Sequence, residues 1–568
     1  MTAPMASDLE IAQYAEVKPI VEIASAMGLT DEDVDLYRKF KAKISLGVLQ
    51  KFADRPNGKY VVVTSITPSP LGEGKTTTTV GLGMALNRLG HRTAICLRQP
   101  SLGPVFGNRG GATGSGYSQV LPMEDINLHL TGDTHAVALA HNLLAAFIDN
   151  SLFHDNPLNI DPYTIAWPRV VDLFDRALRN VTVGLGGREG GLPRESSFDI
   201  AVASEVMAIL ALSASFRDLR ARMGRIVIGM TRDGKPVTAE DLKCAGAMTV
   251  LVREALKPNL LQTIEHTPAF IHTGPFGNIA HGNNSVIADQ IALKLNEYVV
   301  TESGFGSDLG MEKFFNIKCR YSGLTPNAVV IVATIRALKM HGHAGHIVAG
   351  QPVPPELAKE NSAAVERGSQ NLVKHIENAL LFGVPVVVAI NHFETDTDRE
   401  IALVERIARD LGAEGAFVSN ARARGGAGAI SLAEAVVRAC DKPSRFKFLY
   451  ALELPIKEKI ERIAEKIYGA EGVQYLPEAE RKIQLYTDLG FDKLPISMAK
   501  THLSLSHEEA LKGRPRRFRV PIRDVRASIG AGYLYAICGD MRTMPALPRI
   551  PAGTRIDVDE NGEIVGLV

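Results

Sequence analysis

The sequence contains little cysteine, and none of it is closely paired. Its five cysteines are odd in number, lie far apart and form no CxxC pair: Cys96, Cys244, Cys319, Cys440 and Cys538. A disulfide framework or a structural zinc site needs paired or closely spaced thiols. We therefore expect neither a disulfide-stabilised domain nor a zinc-ribbon type of fold.

An excess of charge of one sign is also absent. The 568 residues include 63 Lys+Arg and 63 Asp+Glu, so the formal net charge is zero. A balanced chain has no overall electrostatic attraction to nucleic acid or to an anionic membrane surface. We expect no nucleic-acid partner and no membrane association.

Long hydrophobic runs are missing as well. The first twenty residues, MTAPMASDLEIAQYAEVKPI, contain acidic residues early and no apolar run typical of a signal peptide. The most membrane-like stretch, residues 200–216, carries Glu205 near its middle and is short for a membrane span. It predicts a buried helix, and the sequence as a whole predicts a cytoplasmic protein.

The composition that remains is that of a globular protein, with 45% hydrophobic and 22% charged residues. Short apolar runs alternate with helical patterns such as residues 76–89 and 371–382. Near-continuous apolar runs are typical of strands covered on both faces of a parallel sheet. The runs are residues 60–66, 93–97, 225–230, 328–334 and 384–390. The pattern predicts an α/β fold with a mostly parallel sheet flanked by helices.

The length exceeds what one hydrophobic core normally supports, so we expect subdomains. We predict a nucleotide-binding α/β domain over residues 1–335, a second α/β subdomain over 336–441 and a carboxy-terminal subdomain over 442–568. The last boundary is placed where DKPSRF, residues 441–446, precedes a charged helical pattern.

The segment TSITPSPLGEGKTTTT, residues 64–79, follows a predicted strand and leads into a predicted helix. Backbone amides and the positive end of the helix dipole make such a loop an anion site. Gly74-Lys75-Thr76 matches the end of the P-loop motif GxxxxGK[ST], although Ser69 replaces the first glycine. The alternative is a tight turn with a solvated lysine. The predicted nucleotide-binding residues are Ser69, Pro70, Leu71, Gly72, Glu73, Gly74, Lys75 and Thr76.

Two of these side chains have specific predicted roles. Lys75 would reach the terminal phosphates, and the Thr76 hydroxyl would ligate Mg2+. Arg98 follows the predicted strand 93–97, where the carboxyl ends of parallel strands face the ligand crevice. Its guanidinium could hold an anion in bidentate fashion, or it could pair with a carboxylate at the rim. Phe393, after the strand 384–390, could stack on a flat ring or be an ordinary core residue.

Several longer segments resemble the formate–tetrahydrofolate ligase family, the 10-formyltetrahydrofolate synthetases, in its monofunctional bacterial type. The resemblance runs nearly from end to end. Its segments include TPSPLGEGKTTTTVGL (67–82), LRQPSLGPVFG (97–107), PMEDINLHLTGD (122–133), GPFGNIAHG (274–282), GFGSDLGMEKFFNIKCR (304–320) and MRTMPALP (541–548).

The resemblance implies a two-step ligation. ATP would phosphorylate formate to formyl phosphate, and the N10 amine of tetrahydrofolate would attack the formyl carbon, giving 10-formyltetrahydrofolate, ADP and phosphate. It implies that Lys75 and Arg98 are catalytic, with Arg98 holding the formyl phosphate. It also implies stimulation by a monovalent cation (K+ or NH4+) and a homotetramer.

The folate residues implied by the resemblance are Phe393, Glu394 and Arg422, in the subdomain 336–441. Phe393 would pack against the pterin. Glu394 stands where the family usually has proline, and Arg422 where it usually has a tryptophan before a GG pair. Two alternatives therefore stay open. One is a paralogue that activates formate but uses a modified folate or another amine, and the other is a P-loop switch ATPase.

Overall fold

The structure is a computed structural model that describes residues 6–108, 113–347, 352–539 and 541–567. Its helices are α1 (Asp8–Tyr14), α2 (Ile20–Ala26), α3 (Gly47–Lys51), α4 (Lys75–Arg88), α5 (Leu102–Phe106), α6 (Met123–Asn127), α7 (Asp133–Phe153), α8 (Glu205–Leu212), α9 (Phe216–Gly224), α10 (Ala245–Leu251), α11 (Val286–Leu295), α12 (Cys319–Ser322), α13 (Ile335–His341), α14 (Pro355–Ala358), α15 (Ser362–Leu381), α16 (Asp398–Asp410), α17 (Ala421–Arg424), α18 (Ile430–Cys440), α19 (Ile456–Ile463) and α20 (Pro477–Asp488).

The strands are β1 (Val34–Leu36), β2 (Ala42–Ile44), β3 (Lys59–Ser65), β4 (Thr93–Leu97), β5 (Gly114–Ser115), β6 (Ser118–Leu121), β7 (Arg169–Val171), β8 (Val181–Val183), β9 (Arg194–Ser196), β10 (Phe198–Ile200), β11 (Val227–Met230), β12 (Pro236–Thr238), β13 (Asn259–Thr263), β14 (Pro268–Ile271), β15 (Tyr298–Gly306), β16 (Ala328–Ala333), β17 (Val386–Asn391), β18 (Ala416–Ser419), β19 (Gly472–Tyr475), β20 (Ile496–Ala499), β21 (Arg519–Ser528), β22 (Tyr533–Cys538), β23 (Asp557–Val558) and β24 (Ile564–Val565).

A large mixed sheet forms the centre of the fold. Its parallel part has the order β14-β4-β15-β3-β16-β17-β18, so β3 lies between β15 and β16. Antiparallel pairing through β13 adds β2, β1 and β6 at one side. This arrangement confirms the predicted α/β fold class with a mostly parallel sheet.

Both faces of this sheet are buried. On β3, Val61 and Val63 join an apolar cluster with residues of α4 and α18, whereas Val62 joins a second cluster with residues of α11 and α15. Successive side chains of a strand point to opposite faces, so a strand covered on both sides needs apolar residues at every position. This explains the near-continuous apolar runs that the sequence showed.

One predicted strand belongs elsewhere. Residues 225–230 contain β11, but β11 pairs only with β12, antiparallel, in a separate two-stranded sheet. The run 200–216 is divided into the buried helix α8 and the start of α9, because the Ser215 side chain caps α9 by accepting a hydrogen bond from the Asp218 amide at 3.1 Å. Apolar periodicity reports burial but does not say which sheet a strand joins.

The carboxy-terminal segment contains its own four-stranded sheet, in the order β19-β21-β22-β20, with α19 and α20 nearby in sequence. Strands β17 and β18, from the predicted second subdomain, lie in the large sheet beside β16. The three-part division at residues 335 and 441 stays a prediction.

Candidate active site

The loop between β3 and α4 depends on a glycine at its end. Gly74, directly before α4, has φ 72° and ψ 32° in the left-handed region. A Cβ atom there would lie 2.2 Å from Nδ2 of Asn391, at the end of β17. That Asn391 amide donates a hydrogen bond to the Glu73 carbonyl at 3.1 Å. Glycine is therefore needed for both the backbone conformation and the close approach of Asn391.

Glu73 holds the loop from inside. Its side chain is 1% exposed, and its carboxylate accepts hydrogen bonds from the Ser69 amide at 2.7 Å and from the Thr334 hydroxyl after β16. Burial raises the pKa of Glu73, while these hydrogen bonds oppose the shift. Glu73 lies within the predicted phosphate loop, but its carboxylate shapes the backbone.

Lys75 begins α4 and has few neighbours that could neutralise it. Its Nζ lies 3.5 Å from Oγ of Ser65, a long contact. Burial lowers the pKa of Lys75, and the charge of Arg98 lowers it further, while Glu302 and Glu73 oppose the shift. Thr76, in the first turn of the same helix, is partly buried. The amino terminus of α4 therefore presents a cation and a hydroxyl beside the loop amides.

Arg98 follows β4 directly and reaches the same region. Its Nη1 donates to the Pro275 carbonyl at 3.3 Å, and its buried Nε has no hydrogen-bond partner among the described residues. Gly304 leaves room for the guanidinium, because a Cβ at that position would lie 3.0 Å from Nη2 of Arg98. Burial lowers the pKa of Arg98, and Glu302 opposes the shift. An incompletely bonded guanidinium at the edge of a parallel sheet is suited to hold an anion.

The structure thus brings Lys75 and Arg98 together, two residues that the sequence predicted separately. It also adds Glu302, which sequence reasoning missed, and places Phe305 and His502 near this region. The Phe305 ring stacks on His502 with centroids 4.4 Å apart. Burial lowers the pKa of His502 to about 4, with further lowering from Lys500 and Lys75, so this imidazole is neutral near pH 7. A carboxylate shortly after the apolar run Tyr298–Val300, in the interior of β15, was the one signal that could have revealed Glu302.

The predicted folate residues lie after β17 and in α17. Phe393 is partly buried, and its amide donates to Oδ2 of Asp396 at 2.9 Å. The Arg336 guanidinium stacks over the Phe393 ring, with Cζ 4.0 Å from the centroid. Glu394 and Arg422 are both exposed. Phe393 is therefore not an ordinary core residue, and one face of its ring is already covered by a cation.

Arg336 was not anticipated from the sequence. Its Nε is buried without a hydrogen-bond partner among the described residues. Burial lowers the pKa of Arg336, Glu73 and Asp396 oppose the shift, and the charge of Arg422 lowers the pKa further. The surroundings of Phe393 thus contain a second cation, Arg336, besides Arg422.

Comparison with known proteins gives a consistent result. A sequence profile described as formate–tetrahydrofolate ligase matches residues 6–568. A formate–tetrahydrofolate ligase of Desulforamulus reducens is 62% identical over 561 residues, covering 99% of both chains. One from Roseiflexus sp. strain RS-1 is 58% identical over 563 residues, covering 99% of this chain and all of the relative. One from Saccharopolyspora erythraea is 56% identical over 567 residues, covering both chains completely. The profile and these relatives span almost every residue, including residues 69–76 and Arg98, and the chain therefore belongs to the formate–tetrahydrofolate ligase family.

Proposed function

We propose that this protein joins formate to tetrahydrofolate at the expense of ATP, giving 10-formyltetrahydrofolate, ADP and phosphate through formyl phosphate. Family membership supports the overall reaction. The observation that supports the site is the convergence of Lys75 and Arg98 beside the amino terminus of α4. Two incompletely neutralised cations in one crevice are suited to a phosphoryl group that passes between two anionic substrates.

In the first step, a formate oxygen attacks the γ-phosphorus of ATP and ADP leaves. Both reactants are anions, so catalysis depends on positioning and on neutralising charge. The loop amides and the Lys75 ammonium would bind the phosphate oxygens. Mg2+, when bound, offsets charge on those oxygens, and the Thr76 hydroxyl is the predicted protein contact to it.

In the second step, the N10 amine of tetrahydrofolate attacks the formyl carbon. The bond between that carbon and the phosphate oxygen breaks, phosphate leaves, and the amine loses its proton. Arg98 would hold the phosphate through both steps, because its unpartnered Nε–H belongs to a guanidinium whose charge acts on Lys75. The phosphate that forms is better stabilised by a fixed guanidinium than by water that must reorganise.

We propose that the acceptor binds against Phe393, with Glu394 and Arg422 at the rim. Arg336 covers one face of the Phe393 ring, so the pterin would occupy the other face or displace the guanidinium. The alternative of a modified folate or another amine rests on Glu394 and Arg422, which differ from the family pattern.

The function is tested by coupled measurement of ADP release from purified protein. We expect steady turnover only when formate and tetrahydrofolate are both present, with one 10-formyltetrahydrofolate formed per ADP. Turnover on another amine and none on tetrahydrofolate would support the modified-acceptor alternative. ATP hydrolysis that does not depend on formate would instead support the switch ATPase and contradict the proposal.

Replacing Arg422 with tryptophan tests the acceptor site. If this side chain lies over the pterin, Arg422→Trp is expected to lower the KM for tetrahydrofolate by about 2- to 10-fold, because a flat indole stacks on the ring without an added charge. Steady-state kinetics at saturating ATP and formate measure the change. Arg424→Trp, on the same short helix and equally exposed, is the matched control. An unchanged KM for the Arg422 variant would remove this residue from the site.

We infer that the protein is a cytoplasmic homotetramer. By length and composition alone, α7 is the helix of the described chain that could cross a membrane, and 33% of its most apolar window is buried. Leu139, Ala146 and Phe153 are exposed at seven-residue spacing on one face of α7. Neighbouring copies would cover this apolar face without any membrane. The proposed stimulation by K+ or NH4+ rests on family membership.

A further inference from the structure

Glu302 occupies a central position in the large sheet. Strand β15 runs parallel to β3 on one side and to β4 on the other. Glu302 lies level with Val63 of β3, two residues before the end of that strand at Ser65. Glu302 is therefore located between the strand that leads into the phosphate loop and the strand that leads into Arg98.

Strand alternation assigns Glu302 to the face of the sheet that carries α4. Val300 and Val63 both belong to the apolar cluster that includes α4 residues. Glu302 is two positions after Val300 and is paired with Val63, so its side chain shares their face. Ser65, which contacts Lys75, lies on this face as well. The carboxylate therefore lies on the side where α4 presents Lys75 and Thr76.

The Glu302 carboxylate is buried, and one of its two oxygens has no hydrogen-bond partner among the described residues. The residue is 8% exposed, and the oxygen without a partner is Oε2. Its charge acts on both Lys75 and Arg98, yet within the described residues it forms no ion pair with either. A buried carboxylate oxygen without a partner is costly. Such an atom is typical of a position that completes its contacts when a ligand binds.

We propose that Glu302 is the protein carboxylate that holds Mg2+ with ATP, together with the Thr76 hydroxyl. Phosphate-loop enzymes hold this ion through the loop Ser or Thr and an acidic residue on a neighbouring strand. Mg2+ is usually bound by one or two carboxylates plus phosphate oxygens, which suits a single glutamate.

This inference rests on the proposed function, because it presumes ATP at the loop. Two other roles for Glu302 make different predictions. A counter-ion that only balances Lys75 and Arg98 would affect nucleotide binding with or without metal. A base that accepts the amine proton would affect turnover with tetrahydrofolate and leave metal affinity unchanged.

The test uses Mn2+ as a spectroscopic probe, with a non-hydrolysable ATP analogue and no formate or folate. Electron paramagnetic resonance titration gives the Mn2+ affinity of the protein–nucleotide complex. We expect Glu302→Gln to weaken it by roughly 10- to 100-fold, since losing even an outer-shell partner of a metal has an effect of this size. Nucleotide binding without metal should stay unchanged or become tighter, because a negative charge beside the phosphates is removed. Glu302→Asp keeps the charge on a shorter side chain, so its Mn2+ affinity should fall between those of the wild-type protein and Glu302→Gln.

Glu297→Gln is the matched control. Glu297 directly precedes β15, at the opposite edge of the sheet, where its exposed carboxylate pairs with Arg92. Its replacement should leave the Mn2+ affinity at the wild-type value. Thermal melting of each variant checks that the fold is kept, and if Glu302→Gln does not fold, the Glu302→Asp titration decides.

Wild-type Mn2+ affinity in Glu302→Gln would overturn the inference and leave the proposed function standing. Weaker nucleotide binding without metal, with the metal affinity of the bound complex unchanged, would overturn it in favour of a counter-ion. Failure of the wild-type protein to bind the analogue at all would instead contradict the proposed function. We expect Glu302→Gln to lose Mn2+ affinity and to keep its affinity for the nucleotide without metal.

Discussion

Lys75→Ala is expected to lower kcat/KM for ATP by roughly 10³-fold or more, with the fold intact. Lys75 is the first residue of α4, and its Nζ makes a long contact, at 3.5 Å, with Oγ of Ser65. Burial lowers the pKa of Lys75, which means that the charged ammonium is disfavoured in the free protein, and a bound phosphate would favour it. Removing the side chain should therefore lower the rate of turnover, while the melting temperature stays the same or rises.

Formate-dependent ADP release and a thermal melting curve test the two halves of this expectation. Lys59→Ala is a suitable control, because Lys59 begins β3 at the far end of the same strand and donates to the Cys440 carbonyl at 3.1 Å. The control should turn over at the wild-type rate. Full activity in the Lys75 variant would show that the loop between β3 and α4 does not bind the triphosphate.

Arg98→Lys is expected to lower kcat by roughly 10²- to 10³-fold, with a much smaller change in the KM for ATP. The substitution keeps a positive charge but loses the planar fork that binds two oxygens at once. The Arg98 guanidinium donates to the Pro275 carbonyl and lies close to Gly304, where the missing side chain leaves room for it. The ammonium of a substituted lysine is shorter and more compact, so it cannot occupy the same position. A transition-state contact lowers kcat, whereas a contact used only for ATP would raise its KM.

Initial rates at varied ATP and varied formate separate these outcomes. Arg92→Lys, just before β4 and paired with Glu297 at the sheet edge, is the control with the same chemical change. It should be indistinguishable from wild type. An Arg98 variant with normal kcat and a raised KM for ATP alone would assign the guanidinium to the nucleotide rather than to formyl phosphate.

The sequence predicted the parts of the fold that are set by local apolar pattern. The strand 93–97 matches β4 exactly, and the predicted helix start at Thr76 differs from α4 by one residue. Strand β15 was missed, because the polar segment that ends it, Thr301 to Gly306, interrupts the apolar run. Polar residues are tolerated in this part of the sheet because they find partners inside it: the Thr301 hydroxyl donates to Oδ1 of Asn284 at 2.9 Å and the Ser303 hydroxyl to the Val63 carbonyl at 3.3 Å.

The sequence predicted those candidate site residues that belong to a local motif. It did not predict contacts between segments that are far apart in the sequence. Lys75 and Arg98 follow from a loop motif and a strand end. Arg336 over Phe393, and His502 beside Phe305, depend on packing between segments more than fifty residues apart. No local periodicity reports such contacts, which are set by the tertiary fold.

The amide of Asn391 has a consequence for how the two substrates communicate. It donates to the backbone of the proposed ATP loop at Glu73, and Phe393, the proposed platform for the acceptor ring, is two residues further along the chain. If the acceptor ring binds at Phe393 as proposed, a displacement of this short segment would be passed through the Asn391 hydrogen bond to the loop that is proposed to bind ATP. Thermodynamic linkage then requires the effect to be mutual. If bound ATP changes the affinity for the acceptor by some factor, the bound acceptor changes the affinity for ATP by the same factor.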